Sequence, residues 1–125
     1  MEFSCGIDII EIKRIQKAIE KLNDKFLKKI YTIKEIEYCN SKNNLKYQHY
    51  AARFAAKEAI FKAISDKLKD KYEITWTNVE IINDINGRPK ITFINTDVAN
   101  KIKSIDVSLS HVKEYAIANC IIVFN

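Results

Sequence analysis

The segment from Tyr47 to Leu68 constrains the fold of this 125-residue chain most strongly. It contains neither glycine nor proline, and its apolar residues recur at three- and four-residue steps, so it is predicted to form one long helix. One broad face of this helix is predicted to carry Ala51, Phe54, Ala55, Glu58, Phe61 and Lys62. Glu58 therefore places a carboxylate where a mostly apolar stripe would otherwise continue.

Glu58 has two interpretations, because an ionised carboxylate on an apolar face is costly unless it is paired or coordinated. In the first, it forms a salt bridge with Lys62, one helical turn further along. In the second, it binds a metal ion, and Lys57 and Lys62 supply positive charge for an anion beside the metal. The helix alone does not decide between them.

A second carboxylate lies in the short apolar run Cys5–Ile10, CGIDII, which is predicted to be a strand. Asp8 is the only charged residue in this run. It is either an N-cap or turn residue ahead of the first helix, or a partner of Glu58 in a metal site. Two carboxylates with few other ligands suit Mg²⁺, which proteins usually hold with few carboxylates, completed by water and phosphate oxygens.

The rest of the chain alternates between helical and strand-like patterns. Helices are predicted from Glu11 to Leu22 by apolar spacing, and from Ile33 to about Asn40 by the capping-box spacing of Thr32 and Glu35. The later predicted elements are strands at Tyr72–Ile82, Ile91–Ile94, Asp106–Ser110 and Tyr115–Phe124, a turn at Asn86-Gly87-Arg88-Pro89 and a short helix at Asp97–Lys103. This order predicts a small α+β domain spanning residues 1–125, with a mainly antiparallel sheet packed against the long helix.

Composition narrows the class of protein. The net charge of +5 predicts attraction to polyanions, among them nucleic acid, phosphorylated cofactors, acidic proteins and anionic membranes. No apolar run approaches the length of a membrane helix, and the N-terminal MEFSCGIDII lacks the basic region of a signal peptide. The odd count of 3 cysteines argues against a disulfide framework, so a soluble protein of the reducing cytoplasm is expected.

Other residues with chemical potential give weaker signals. The sequence has no Cys/His cluster with zinc spacing and no glycine-rich phosphate loop, so side-chain cations would do much of the work of binding a phosphate. His111 follows the predicted strand DVSLS, where a lone histidine is usually structural or exposed. Ser110 precedes it, but adjacent strand residues point to opposite faces, which argues against a Ser–His relay.

Four stretches together resemble one known family. They are GIDIIEIKRI (Gly6–Ile15), ARFAAKEAIFKA (Ala52–Ala63), NGRP (Asn86–Pro89) and SLSHVKEYAIA (Ser108–Ala118), in this order over nearly the whole chain. The chain closely resembles the holo-acyl-carrier-protein synthases, the short bacterial type of 4′-phosphopantetheinyl transferase. The G-x-D and K-E-A-x-x-K-A elements carry the resemblance in combination, since either one alone is a weak signal.

The resemblance implies an enzyme that transfers 4′-phosphopantetheine from coenzyme A to a serine of apo-acyl carrier protein and releases adenosine 3′,5′-bisphosphate. It also implies a homotrimer with each active site between neighbouring subunits. Asp8 and Glu58 match the family's ligands for Mg²⁺, and Mn²⁺ would also suit them, since oxygen ligands accept both ions. Lys62 matches a lysine placed for the coenzyme A diphosphate, which makes these three the predicted catalytic residues.

Further positions are implied around the nucleotide. Arg53 and His111 match positions near the nucleotide and its 3′-phosphate. The turn contributed by the adjoining subunit would add Asn86, Gly87, Arg88 and Pro89 to the same ligand.

The first predicted helix is implied to meet the carrier protein. Arg14 matches a residue that contacts the acidic recognition helix of the carrier. The basic side of this helix also carries Lys13, Lys17 and Lys21, which would steer an acidic partner by long-range attraction. Glu35 is one candidate for holding a water that accepts the serine proton, although its capping-box role explains it equally well.

Two rival functions remain open at this point. One is a small basic nucleic-acid-binding module, which gives no reason for two carboxylates in apolar surroundings. Its aromatic platforms would be Tyr47, Tyr50, Phe54 and Trp76. The other is a non-catalytic trimer with the same fold, against which the intact metal and lysine motif argues. The chain departs from many family members after the long helix, where SDKLKDKYE replaces a glycine-rich connection.

Overall fold

A long central helix and a three-stranded sheet organise the fold in the computed structural model, which describes residues 1–125. The helices are α1 (Ile12–Leu22), α2 (Asp24–Ile30), α3 (Ile33–Asn40) and α4 (Lys46–Ile64). The strands are β1 (Glu2–Glu11), β2 (Val79–Asn83), β3 (Pro89–Phe93), β4 (Ile102–His111) and β5 (Tyr115–Phe124). None of the helices combines the length and hydrophobicity that a bilayer crossing requires.

All strand pairing is antiparallel. Strand β5 lies between β1 and β4 in one sheet, and β2 pairs with β3 as a separate hairpin. Strands β1 and β5 pair along their full length, from Glu2 opposite Phe124 to Glu11 opposite Tyr115. The larger sheet packs one face on α4. The predicted α+β class, with a mainly antiparallel sheet against the long helix, is confirmed.

Helix α4 is buried on nearly every side, which corrects the predicted amphipathic face. Its buried alanines are Ala51, Ala52, Ala55, Ala56, Ala59 and Ala63, whose small side chains let the neighbouring elements approach closely. Beyond the first turn, only a narrow stripe stays partly open, formed by Phe54, Glu58, Phe61 and Lys62. Glu58 therefore does not interrupt a buried face, because it lies on the one side of α4 that solvent and ligands can reach.

Several local predictions are confirmed. Helix α3 begins with the predicted capping box: the Thr32 hydroxyl accepts from the Glu35 amide at 3.3 Å, and the Glu35 carboxylate accepts from the Thr32 amide at 2.8 Å. The predicted turn joins β2 to β3, and Gly87 adopts a φ of 82° there, which glycine tolerates without strain. Strand β5 has the predicted bounds Tyr115–Phe124.

One predicted strand is wrong over most of its length, and one helix was not predicted. The region from Tyr72 to Ile82 is strand only from Val79, because Thr75 and Asn78 form a capped helical turn that includes Trp76. The Thr75 amide donates to Asn78 Oδ1 at 2.7 Å in this turn. Helix α2 was not predicted, and it exists because Asn23 takes a φ of 51°, ends α1 and lets a second short helix begin.

Candidate active site

Strand β1 approaches α4 so closely that Gly6 has no room for a side chain. A Cβ at this position would lie 2.0 Å from the carbonyl oxygen of Ala59. Because strand residues two apart share a face, Asp8 also points toward α4. This close contact sets Asp8 beside the open stripe of α4.

Asp8, Glu58 and Lys62 come together at this strand–helix contact. The Lys62 ammonium lies 3.3 Å from Asp8 Oδ1 and donates to the Ile7 carbonyl oxygen at 2.9 Å. Glu58 lies one turn earlier on α4, yet none of the ion pairs in the structure includes it. The salt-bridge interpretation of Glu58 is therefore wrong, since Lys62 pairs with Asp8 instead.

The electrostatics of Glu58 fit a cation site. Burial raises the pKa of the Glu58 carboxyl and the charge of Asp8 raises it further, while the Lys62 ammonium lowers it. No three or more His, Cys, Asp or Glu side chains are arranged so that they could hold a metal ion together. A cation would therefore find two repelling carboxylates here and take its remaining oxygens from water and ligand, a donor set that fits Mg²⁺ and not zinc.

A cavity of about 860 Å³ opens beside Glu58. Its apolar lining comes from Phe61, Leu68, Tyr72, Ile74 and Trp76, and three lysines (Lys29, Lys69 and Lys71) also line it. The lysine-rich segment after α4, which sequence reasoning left without a role, therefore forms part of this cavity. Such a lining suits a ligand that has both an anionic group and an uncharged portion.

Arg53 is buried, with 1% of its surface exposed. Its Nε donates to the Ile81 carbonyl oxygen at 3.1 Å and its Nη2 to Asn83 Oδ1 at 2.7 Å. The guanidinium carbon also lies 4.2 Å from the centre of the Tyr38 ring. The Arg53 guanidinium thus interacts with groups of the protein itself. Its predicted contact with a nucleotide stays a prediction.

His111 belongs to a basic cluster around the start of α4, formed by Lys42, His49, Arg53 and His111. His111 Nε2 lies 3.0 Å from the amide nitrogen of Gln48. Burial lowers the pKa of His49, and the positive charges of Arg53, Lys42 and His111 lower it further. These like charges lie close together, so the basic cluster favours an anion over a cation.

The predicted turn residues lie in the β2–β3 hairpin. Asp84 Oδ1 accepts from the amides of Asn86 at 2.9 Å and Arg88 at 3.0 Å, and Asn83 Nδ2 donates to the Gly87 carbonyl oxygen at 2.9 Å. Since Asn83 also accepts from Arg53, it ties the turn to α4. Sequence reasoning missed Asn83, because an asparagine that ends a strand has no distinguishing pattern.

The remaining predicted residues do not contact Asp8 or Glu58. The Arg88 guanidinium pairs with Asp106 on β4, and Pro89 begins β3. None of the side-chain contacts of the turn is to Asp8, Glu58 or Lys62. Arg14 lies on the exposed side of α1, opposite the side that buries Ile12, Ile15 and Ile19.

Comparison with known proteins decides the family. Residues 4–120 match the model of the 4′-phosphopantetheinyl transferase superfamily. The chain belongs to this superfamily. A holo-[acyl-carrier-protein] synthase of Ruminiclostridium cellulolyticum is 41% identical over 131 aligned positions, which cover 98% of this chain and 92% of the relative. The prediction of an enzyme of the holo-acyl-carrier-protein synthase type is confirmed.

Solved structures share the transferase fold over nearly the whole chain. The Helicobacter pylori holo-[acyl-carrier-protein] synthase in complex with coenzyme A has a TM-score of 0.80 at 30% identity, covering 97% of this chain and 99% of that one. The Bacillus anthracis enzyme in complex with CoA (3′,5′-ADP) has a TM-score of 0.76 at 32% identity, covering 95% and 94%. The fold described above is therefore one on which these transferases bind coenzyme A.

Lys57 and Glu35 do not have the exposed roles considered for them. Both side chains are 0% exposed, and the Lys57 ammonium lies 2.7 Å from Glu35 Oε1. Successive helix residues point about 100° apart, so Lys57 is directed away from Glu58 and its open stripe. Lys57 therefore supplies no charge to an anion beside Glu58, and Glu35 is not placed to hold a water for the substrate.

The aromatic platforms of the nucleic-acid alternative are engaged inside the protein. Tyr50 is 1% exposed. The rings of Phe54 and Trp76 stack on each other, with centroids 4.8 Å apart and planes 24° apart. Tyr50 is therefore closed to bases, and Phe54 and Trp76 each have one ring face covered by the other.

In the metal-free protein, Glu58→Gln is expected to increase the free energy of unfolding at neutral pH. The folded-state pKa of Glu58 is raised above its ordinary value of 4.5, so ionisation of this group costs native-state stability as pH rises through the raised pKa. The variant lacks that cost, and its advantage should shrink as the pH falls to the ordinary value. Urea unfolding in EDTA at pH 7 and pH 4 measures the difference, and a variant less stable than the wild type at pH 7 would contradict this electrostatic account.

Proposed function

We propose that this transferase moves 4′-phosphopantetheine from coenzyme A to a serine of apo-acyl carrier protein, with a divalent metal ion as cofactor and adenosine 3′,5′-bisphosphate as the second product. The observation that carries the proposal is the meeting of Asp8, Glu58 and Lys62 beside a cavity of about 860 Å³. Solved relatives in complex with coenzyme A support the donor, and the activity for which the relatives are named supports the acceptor. Residues 1–125 would form one transferase domain.

The carboxylate pair would hold the metal ion. The Asp8 side chain is only 19% exposed, so its carboxylate is held in a fixed position against α4. Glu58 faces it from the helix, and their mutual repulsion is relieved by a divalent cation. Mg²⁺ or Mn²⁺ bound by Asp8 and Glu58 would neutralise charge on the diphosphate of coenzyme A.

Lys62 would stabilise the charge that develops on the leaving nucleotide. Its side chain is 55% exposed, so the ammonium can move from Asp8 to a phosphate oxygen without disturbing the core. A cation fixed on one face of the site lowers the barrier when negative charge grows on the departing oxygen. The role of Lys62 is electrostatic and involves no covalent intermediate.

The nucleotide end of coenzyme A would contact the basic cluster around the start of α4. In this cluster Arg53 and Lys42 bring positive charge close to His49, which suits the 3′-phosphate. Arg88, Asn86, Gly87 and Pro89 lie in a separate hairpin that makes no contact with the carboxylate pair of its own chain. Their participation fits a site to which a second subunit contributes the turn.

A homotrimer is part of this proposal, and the outer face of the larger sheet supports it. This face carries exposed apolar side chains, among them Phe3, Ile7, Ile9 and Ile121. Contiguous exposed apolar side chains on a soluble protein mark an interaction surface. Copies of this chain packed through the face would bury it and bring a neighbour's turn to each site.

Ile9→Lys is expected to dissociate the trimer. Ile9 is 61% exposed in the single chain, so the substitution leaves the core intact but buries a charge in the proposed interface. Sedimentation equilibrium should give a monomer mass for the variant and a trimer mass for the wild type. A trimer mass for both proteins would place the interface elsewhere.

Arg14→Ala is expected to raise the KM for the carrier protein several-fold with little change in kcat or in the KM for coenzyme A. Arg14 is exposed on α1 and lies far from the core, so its loss removes an attractive charge without unfolding the helix. The effect should weaken at high salt, since surface attraction is screened. An unchanged KM for the carrier, together with impaired use of coenzyme A, would assign Arg14 to another site.

Release of the nucleotide product tests the proposed transfer. Apo-acyl carrier protein, coenzyme A and Mg²⁺ are incubated with the enzyme, and adenosine 3′,5′-bisphosphate is quantified by ion-exchange chromatography. One nucleotide should appear for each carrier consumed, and none without carrier. Nucleotide release that is independent of the carrier would indicate hydrolysis of coenzyme A and overturn the proposal.

A cytoplasmic location also belongs to the proposal. Cys5, Cys39 and Cys120 are all free thiols in the structure, and two of them are buried. Burial raises the pKa of Cys39 and of Cys120 to about 12 in each case, so both remain protonated and unreactive at neutral pH. Such thiols are typical of proteins that stay in a reducing compartment.

A further inference from the structure

The fully buried Lys57 makes three contacts that join separate parts of the chain. Its ammonium donates to Glu35 Oε1 at 2.7 Å, to the Ile30 carbonyl oxygen at 2.7 Å and to the Trp76 carbonyl oxygen at 3.0 Å. An ammonium has three protons, so every donor is used. Lys57 therefore fixes the backbone at Trp76 to α4 and to the end of α2.

Glu35 holds the other end of this pair without freedom to move. Its Oε1 also accepts from the Thr32 amide at 2.8 Å, and its Oε2 accepts from the Ile81 amide at 2.8 Å. The carboxylate thus joins the start of α3 to β2. A buried pair of this kind is often no more stabilising than apolar residues of the same volume, so stability alone does not explain its presence.

The ring of Trp76 lies at the cavity beside Glu58. It stacks on Phe54 and meets Phe61 edge-to-face, with centroids 5.1 Å apart and planes 73° apart. Trp76 and Phe61 both line the cavity, and they form what we call the aromatic wall. Within the wall, Lys57 holds the backbone of Trp76, and the Phe54 ring on α4 stacks against the Trp76 ring.

We propose that the aromatic wall contacts the uncharged arm of the substrate and that the Glu35–Lys57 pair is the positioning device that sets Trp76 for this contact. The inference rests on the proposed function: with coenzyme A as donor, the phosphate lies at Asp8, Glu58 and Lys62, and the adjoining uncharged portion is the pantetheine arm. Apolar lining continues from the wall through Leu68 and Ile74, which extends the surface available to such an arm. Trp76 is then a binding residue, whereas Glu35 and Lys57 act through it.

Trp76 is the single tryptophan of the chain, so intrinsic fluorescence reports on the wall directly. Coenzyme A and adenosine 3′,5′-bisphosphate, which lacks the arm, are each titrated into the wild-type enzyme, with binding measured independently by calorimetry. Both should bind, but only coenzyme A should change the intensity or wavelength of the Trp76 emission. Binding of coenzyme A by calorimetry with no emission change, or the same change with both ligands, would overturn this inference and leave the proposed function intact. Failure of coenzyme A to bind would overturn both.

The positioning role is tested with the double variant E35Q/K57M, which removes both buried charges together. We expect its KM for coenzyme A to rise about tenfold, the lower end of what loss of an outer supporting contact costs, with kcat changed less. The matched control is the double variant E2Q/K67M, because Lys67 donates to Glu2 at 2.6 Å and neither residue lines the cavity. Trp76→Phe keeps an aromatic ring at the cavity and should retain a KM closer to the wild type. A double variant that is folded by circular dichroism, with an unchanged KM and unchanged Trp76 emission, would reduce the pair to a purely structural role and overturn the inference.

Discussion

Glu58→Gln is expected to lower the turnover of carrier protein by at least about 100-fold while the fold is retained. Loss of an outer-shell partner of a metal ligand typically costs about 10- to 100-fold, and loss of the ligand itself should cost no less. Glutamine has nearly the shape of glutamate, so packing along the open stripe of α4 is preserved. What disappears is the negative charge that, with Asp8, makes this contact a cation site.

Glu37→Gln is the matched control. It makes the same chemical change as Glu58→Gln, but Glu37 is exposed on α3 and does not line the cavity. Initial rates are measured over a range of Mg²⁺ concentrations with carrier and coenzyme A at saturation. The control should follow the wild-type metal dependence, and Glu58→Gln should stay slow at every concentration. Wild-type turnover in Glu58→Gln would refute the assignment of Glu58 as a metal ligand.

Lys57→Met is expected to destabilise the protein by about 3–5 kcal/mol, the cost of removing one partner of a buried ion pair. The substitution leaves the Glu35 carboxylate buried without a counter-charge and leaves the carbonyl oxygens of Ile30 and Trp76 without a donor. Burial also lowers the pKa of Lys57, and the nearby carboxylates of Glu35 and Glu80 oppose that shift. Substitution of the next residue, Glu58→Gln, is expected to have the opposite effect on stability, because burial and the charge of Asp8 make ionised Glu58 unfavourable.

The double variant E35Q/K57M separates charge from packing in this prediction. It should be more stable than Lys57→Met, because position 35 no longer holds a buried carboxylate without its counter-charge, although the two carbonyl oxygens still lack a donor. Urea unfolding of the wild type and both variants gives the three free energies. A single variant as stable as the wild type would show that the pair is solvated, contrary to the 0% exposure of both side chains.

The sequence predicted those elements whose signals are local. The capping box of Thr32 and Glu35 fixes the start of α3 within four residues of chain, and the apolar spacing of Ile12, Ile15 and Ile19 fixes α1. The break at Asn23 was missed because its positive φ is a property of one residue and produces no periodic pattern in the sequence. The strand predicted from Tyr72 was wrong because the Thr75–Asn78 cap overrides the strand preference of the aromatic residues beside it.

In the candidate site, too, the sequence revealed the residues with local signals and missed those whose partners are distant in the chain. Asp8 and Glu58 stood out in the sequence because each is a charge in apolar surroundings, and Lys62 follows from its helical spacing. Lys57 was misjudged because its partner Glu35 is 22 residues away, and a pairing at that distance has no signature in one sequence. Asn83 was missed for the same reason, since its partner Arg53 is 30 residues away.

Intact-mass spectrometry of the carrier protein tests the central claim most directly. Apo-acyl carrier protein is incubated with this transferase, coenzyme A and Mg²⁺, and a parallel sample contains EDTA. The account predicts a mass gain equal to one phosphopantetheine in the first sample and none in the second. No gain with several different carrier proteins would contradict the proposed transfer, and an equal gain in EDTA would contradict the metal site at Asp8 and Glu58.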